Sequence, residues 1–482
     1  MPKHQTIRPL VMAVKRFRHS RSGNLSIIFA LCCVPLIVAI GCAIDYSRAT
    51  SMRTKLQSAA DAASVGSVAY KSAGFNAAQL MTGDGPVPAG VTDLQNIFNG
   101  NVSGETGFTN LNLTATMVKA STQLTSSVQF SALVPVTFLK LIGYQNVTVT
   151  GNSSSSAGLP TYLDFYLMLD VSGSMGLPST NSEQSRLAAI NPDNYAVYPN
   201  GCTFACHFSA ANACNDSQQK YSTGGYCKGY DLSRTAGNSS NTPVTACSTP
   251  GTSACIQLRA DAVGYAVQQL LLTANATAKV ANQFRIGLYP FIQKLYSYFP
   301  LTNNISGSPT NPTTINYAAA NLATLLDTGV NSSLGSGGTH FENAFPSMNT
   351  LITSVGNGGA WNNTLPYVFL VTDGAQNNQV QWNGSWSGNN NATVIDTTLC
   401  TPLKQRGIIL AILYIPYQTI QNPTTFANSE DYAVNAIIPN IPATLTSCAS
   451  SGFFFTANTP ADITTALNTM FNKALATAHI TN

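Results

Sequence analysis

The chain has 482 residues, enough for two or three domains with sizeable cores. Only 9% of them are charged, while abundant apolar residues exclude a disordered chain. The net charge of +4 rests on six cations in the first 22 residues, and the other 17 basic and 19 acidic side chains leave no basic patch for nucleic acid.

Those six cations, Lys3, Arg8, Lys15, Arg16, Arg18 and Arg21, form a basic segment over 1–22. They precede the uncharged run SGNLSIIFALCCVPLIVAIGCAI at 22–44. At about 1.5 Å per residue such a run crosses a hydrocarbon core of about 30 Å, so a transmembrane helix is predicted over 23–45. Basic residues before it and Asp45 after it predict a single-pass protein of the inner (cytoplasmic) membrane. Its N-terminus would be cytoplasmic and its bulk periplasmic or extracellular. A cleaved signal peptide would have a shorter apolar core of roughly 7–15 residues. VAIGC at 38–42 only faintly matches a lipoprotein cleavage site, and Pro35 is expected to kink the span.

Residues 46–74 are Ala-rich and free of proline, which predicts a helical stalk ended by Gly74. Ala59, Ala63 and Ser67 recur at four-residue spacing and form a small-residue stripe suited to close packing of a helix or sheet. Residues 75–158 show partial alternation and β-branched enrichment, predicting a small β-rich module, with GNSSSSAGLP at 151–160 as a linker.

From 159 to 482, strand candidates at 163–169, 284–291, 366–371, 407–415 and 453–456 alternate with helix candidates at 256–273, 340–353, 395–405 and 461–476. Such alternation predicts an α/β fold, a doubly wound and mostly parallel sheet. Of eleven cysteines, Cys32, Cys33 and Cys42 lie in the span. The other eight, Cys202, Cys206, Cys214, Cys227, Cys247, Cys255, Cys400 and Cys448, predict disulfides in an oxidising compartment. Cys400 precedes the strand at 407–415 and Cys448 follows the long loop after it, so these two should pair at one edge of the sheet. The six in 177–255 should pair among themselves.

DFYLMLDVSGSMG at 164–176 ends a buried-type strand in Asp170, Ser172 and Ser174, three oxygen-bearing side chains at alternate positions. GSGGTHFENAF at 335–345 puts Thr339 in a Gly-rich loop before a helix, and YVFLVTDG at 367–374 ends a strand in Asp373. Ligands of such sheets bind beyond the carboxyl ends of the strands. Five oxygen donors without nitrogen or sulfur suit a hard cation, Mg²⁺ or Mn²⁺. The competing reading has these hydroxyls merely capping helices.

In these residues the chain resembles the von Willebrand factor A (VWFA) domain and its metal-ion-dependent adhesion site. That family has D-x-S-x-S on one loop, Thr on a second and Asp on a third. The resemblance implies a Rossmann-like fold and direct metal ligation by Ser172, Ser174 and Thr339, with Asp170 and Asp373 acting through water. It also implies a protein partner that offers an acidic group to the metal. The chain departs from the family in an insertion, 177–255, that separates the first metal loop from the first helix; it would be a lid, a recognition module or a passive decoration.

GNLSIIFALCCVPLIVAIGCAIDYSRATSMRTKLQSAADAASVGS, with its LQxAADAA signature at Leu56–Ala63, is similar to the start of TadG-like proteins of Flp (tight adherence) pilus assembly. That resemblance implies an uncleaved anchor and other pilus-assembly proteins as partners. Ile28 stands five residues after Gly23, where a prepilin processing site requires Glu, which favours an accessory protein over a polymerising pilin.

Enzyme readings find little support. G-x-S-x-G, H-E-x-x-H and G-x-x-x-x-G-K-[ST] are absent from the sequence. CTFACH at 202–207 is one residue too long for a C-x-x-C-H haem attachment, and His340 is expected to cap a helix. The sequence therefore predicts a membrane-anchored, cation-dependent binding protein and no enzyme. The alternatives are a surface adhesin unconnected with pili and, behind it, a metal-dependent hydrolase.

Overall fold

A computed structural model describes residues 24–178, 180–190, 257–327, 332–335, 337–382, 385–387, 392–420 and 430–478. The expectations for the basic segment 1–22 and for most of the insertion with its six cysteines and CTFACH lie outside the described residues. The chain divides into two units, 1–158 and 159–482.

In the first unit, α1 (Asn24–Val68) is a single helix of 45 residues that continues through Pro35, roughly 68 Å long at a helical rise. Its first part exposes Ile27, Phe29, Leu31, Val34 and Ile37. Among the described residues this is the one helix long and apolar enough to cross a membrane. From Gly41 onward one face is buried, through Asp45, Ala49, Met52, Leu56, Ala60 and Ala63. Steps of three and four residues keep that face on one side of the helix.

The unit also holds α2 (Ala73–Leu80), α3 (Pro88–Val102) and an antiparallel meander of β1 (Thr109–Ala120), β2 (Gln123–Pro135) and β3 (Asn146–Gly158). The buried face of α1 meets α3, β2 and β3. Alternate β2 residues Leu124, Ser126, Val128, Phe130, Ala132 and Val134 turn inward, and Leu94 and Phe98 of α3 join the same core. Ala59, Ala63 and Ser67 are all buried, so the small-residue stripe is a packed face.

Three expectations need correction here. The stalk helix stops at Val68, because Lys71 takes φ 66° and Ser72 caps α2 by accepting from Phe75 N at 3.0 Å. Gly74 lies inside α2, where a Cβ would overlap the Ser67 carbonyl and the Met117 sulfur. The linker expected at 151–160 is instead mostly β3, with Ser153, Ser154, Ser155 and Ser156 opposite Val128, Ser127, Ser126 and Thr125. Backbone pairing is indifferent to side-chain polarity, and the small hydroxyls let α1 approach: Ser64 Oγ lies 2.9 Å from Ser153 Oγ and 3.0 Å from Ser155 Oγ. The module at 75–158 is therefore mixed, with two helices beside its strands.

In the second unit, β4 (Leu163–Asp170), β5 (Phe284–Phe291), β6 (Phe299–Thr302), β7 (Leu365–Thr372), β8 (Ile409–Tyr414) and β9 (Phe454–Thr456) form a mixed sheet in the spatial order β9-β8-β7-β4-β5-β6. All neighbours are parallel except the edge strand β6. Every residue of β4 is buried. Leu163, Phe165, Leu167 and Leu169 face a core shared with α4 (Arg259–Thr277) and α7 (Pro460–Ala478). Tyr166 and Met168 face a second core with α5 (Phe341–Leu351) and α6 (Ile441–Cys448). Phe165 centres the first layer, with ring centroids 5.6 Å from Tyr367 and 5.2 Å from both Phe369 and Phe471.

The helix expected at 395–405 is split into a 3-10 turn, Thr397–Cys400, and a short helix, Thr401–Gln405. Pro402 lacks the N–H that would continue one ladder through the junction. Cys400 and Cys448, both fully buried, form the expected disulfide across 48 residues. The parallel register sets Leu169 beside Val371, Asp170 beside Phe291 and Thr372 beside Tyr414, so the carboxyl ends of the central strands lie level.

Candidate functional site

Those level strand ends carry the predicted residues. Asp170 is the last residue of β4, and Ser172 and Ser174 follow on a 3-10 turn, Gly173–Gly176. Asp373 follows β7 directly. Thr339 enters from the loop before α5, tied to Asn377 by two backbone hydrogen bonds, 2.8 and 3.1 Å long. Gly338 makes that approach possible: its φ is 65°, and a Cβ there would overlap the Asn377 carbonyl.

The three hydroxyl residues line the pocket and the two carboxylates do not. Ser172, Ser174 and Thr339 line an open pocket of about 190 Å³ together with Asp327, Asn377 and Gln379. Asp170 and Asp373 are buried. Ser172 and Ser174 bring their Oγ atoms within 3.2 Å. Asp170 accepts from Ser172 N at 3.0 Å on Oδ1 and from Thr372 Oγ1 at 2.6 Å on Oδ2. Burial, followed by the Asp373 charge, pushes the Asp170 carboxyl up to about 7 against the pull of those hydrogen bonds. Burial also raises Asp373, opposed chiefly by Arg259.

Arg259, at the start of α4, is absent from the sequence-derived cluster. It is fully buried, donates to Asp373 Oδ2 at 3.1 Å and to Pro416 O at 2.9 Å, and lies 5.3 Å from the centre of the Tyr417 ring. Asp373 Oδ1 makes no hydrogen bond of good geometry despite its burial, although the Ser174 hydroxyl is close enough to favour its charged form. Leaving such an oxygen unpaired costs about 1–3 kcal/mol or more for a charged group. When ionised, the two carboxylates outnumber the one guanidinium beside the neutral hydroxyls. The all-oxygen donor set, with an Asp373 oxygen that lacks a hydrogen bond of good geometry, fits a small hard cation.

Two further contributors escaped the sequence reading. Thr372 orients Asp170 and also accepts from Gly374 N at 2.9 Å; its signal was its place directly before Asp373. Asp327 adds an acid to the pocket and accepts from Gly337 N at 2.8 Å, a contact that no spacing motif announces. His340 stands at the start of α5, but its ring does not cap the helix. Its Nδ1 is 2.6 Å from Glu342 Oε1, and Nε2 is 3.0 Å from Gly337 O and 2.9 Å from Gln379 O. Burial disfavours its charge, yet Glu342 and the two carbonyls outweigh that and raise its pKa.

Comparison with known proteins finds one family model, "Putative Flp pilus-assembly TadE/G-like", on residues 23–69. No curated protein matches the chain. Among solved structures, the PilB minor pilin from Streptococcus sanguinis aligns at 11% identity over 76% of this chain and 78% of its own, with a TM-score of 0.32. The vWF domain of the type V pili tip protein Mfa5 from Porphyromonas gingivalis aligns at 11% identity over 66% and 96%, with a TM-score of 0.29. Proximal thread matrix protein 1 from the mussel byssus aligns at 12% identity over 65% and 48%, with a TM-score of 0.31. Scores this low identify neither a shared fold nor a shared role. The match at 23–69 is a similarity of the N-terminal region to that pilus-assembly family and covers well under half of the chain.

Proposed function

We propose that this chain is a single-pass anchor of the inner membrane acting in Flp-type pilus assembly, with a binding rather than a catalytic role. On this reading the second unit is a doubly wound, VWFA-type domain that takes Mg²⁺ or Mn²⁺ and a protein partner. The observation that carries it is the grouping at the strand ends: three hydroxyl residues lining the pocket beside two buried carboxylates, one of which has an oxygen without a hydrogen bond of good geometry. Ser172, Ser174 and Thr339 would hold the ion directly, and Asp170 and Asp373 would act through water. A cation held mostly by neutral oxygens keeps enough charge to accept a carboxylate from a partner. Arg259 shares Asp373 with that ion and so weakens its hold, which makes the site easy to strip with a chelator.

Affinity capture with the full chain in Mg²⁺ and in EDTA tests this, beside Asp170→Ala and Thr339→Ala. Capture of other pilus-assembly proteins should need Mg²⁺ and should weaken about 10–100-fold in Asp170→Ala, the usual scale for losing a carboxylate behind the metal ligands. Capture that is identical in EDTA, in Mg²⁺ and in both variants would overturn the reading.

A further inference from the structure

The connection from β2 to β3 is unusual in its surface. Residues 139–142 form a 3-10 turn, Gly143 closes it with φ 96°, and Leu141, Ile142 and Tyr144 are 70%, 52% and 62% exposed. Lys140 is exposed among them. Three large apolar side chains on one tight turn normally have a partner.

Two contacts fix where that turn stands. Asp45 of α1 takes the backbone N–H groups of Thr137 at 3.0 Å, Phe138 at 2.7 Å and Leu139 at 2.8 Å. Phe138 itself seats on Gly41, where any Cβ would overlap its ring. Gly41 belongs to the apolar run that ends at Ile44, so the root of the turn lies about one helical turn inside that run. On the same stretch of helix Ile37, Ile40 and Ile44 are exposed. The turn and the helix thus share one apolar level.

We propose that the 139–144 turn is a second membrane contact, with Leu141, Ile142 and Tyr144 entering the boundary between headgroups and acyl chains where α1 leaves the bilayer. The chemistry matches that layer. Tyrosine favours the interface, lysine can extend its ammonium to the headgroups, and aliphatic side chains gain from the acyl boundary. Backbone at such a depth must have its polar groups paired. Here Asp45 takes three N–H groups, while Gly143 N donates to Lys140 O and Tyr144 N to Leu139 O, each at 3.1 Å. Asp45 is the positioning residue that sets the depth of the turn and locks the first unit to its anchor.

The proposal rests on the anchor reading, and the test separates the two. The full chain, carrying either Leu141→Trp or Ile37→Trp, is reconstituted in phosphatidylcholine vesicles brominated near the headgroup or near the chain end, with wild type giving the background of its native tryptophans. Emission added by Leu141→Trp should be lost to bromine near the headgroup, and that of Ile37→Trp to bromine deeper in the chain. Adding Asp45→Ala to Leu141→Trp should abolish the quenching while far-ultraviolet circular dichroism stays unchanged. Quenching at 37 without quenching at 141 overturns the proposal and leaves the anchor standing. Quenching at neither position overturns the anchor and the proposal with it.

Discussion

Asp170 is a buried carboxyl at the candidate site whose protonation should depend on pH. Its carboxyl is raised to about 7 by burial and by Asp373, against an ordinary value of 3.8. The folded state therefore keeps a proton that the unfolded state loses. The stability this adds is fully present below about pH 4 and is lost as pH rises through about 7, a change of a few kcal/mol. With chelator, the melting temperature of the second unit should fall across that window, and Asp170→Asn should shrink the slope. At pH 8 the chelated variant should melt several degrees above chelated wild type, and added Mg²⁺ should stabilise only the wild type. An unchanged slope in Asp170→Asn would mean that the carboxyl titrates normally. The five oxygen donors were legible because each sits at a strand end or in a Gly-rich loop. Arg259 was not legible as their neighbour, because 114 residues separate it from Asp373 and only the fold closes that distance.

Among the elements, the Cys400–Cys448 bridge ties the turn before β8 to the end of α6 across 48 residues. Closing a loop of that length in the unfolded chain stabilises by about 4 kcal/mol in the chain-entropy model. Cys400→Ala with Cys448→Ala should lower the unfolding free energy of the second unit by a comparable amount, read as a lower urea midpoint. Both cysteines are buried in the same apolar core as Leu403, Leu410 and Leu445, so small apolar replacements should preserve that core. An unchanged midpoint would show that the bridge adds nothing beyond that packing. The serine run at 153–156 makes the opposite point. Its composition reads as a linker, and it is a strand because β2 offers an edge and Ser64 offers one hydroxyl that meets both Ser153 and Ser155.

At the scale of the whole molecule, orientation follows from where the cations are. Six precede the apolar run and none lies within it, so the chain should insert with residues from about 46 onward outside the cytoplasm. A phosphatase that folds only after export should be active when fused after residue 482, and a cytoplasmic reporter at the same place should be silent. The reverse pattern, or a mature N-terminus near Cys42, would refute an uncleaved anchor.

Local pattern alone determined the apolar helix, five of the six strands of the second unit's main sheet to within two residues or so, the disulfide pair and the placing of Asp170, Ser172, Ser174, Thr339 and Asp373 at strand ends and loops, but not the edge strand β6. Each is written in neighbouring residues: a run longer than a bilayer, buried-type strands between breakers, a hydroxyl or carboxylate just past a strand end. Tertiary structure alone decided that Arg259 stands against Asp373, that Gly74 serves close approach instead of ending a helix, and that Asp45 holds the 139–144 turn. Those outcomes depend on which surfaces meet, and contacts between residues tens or hundreds of positions apart leave no periodic trace in the chain.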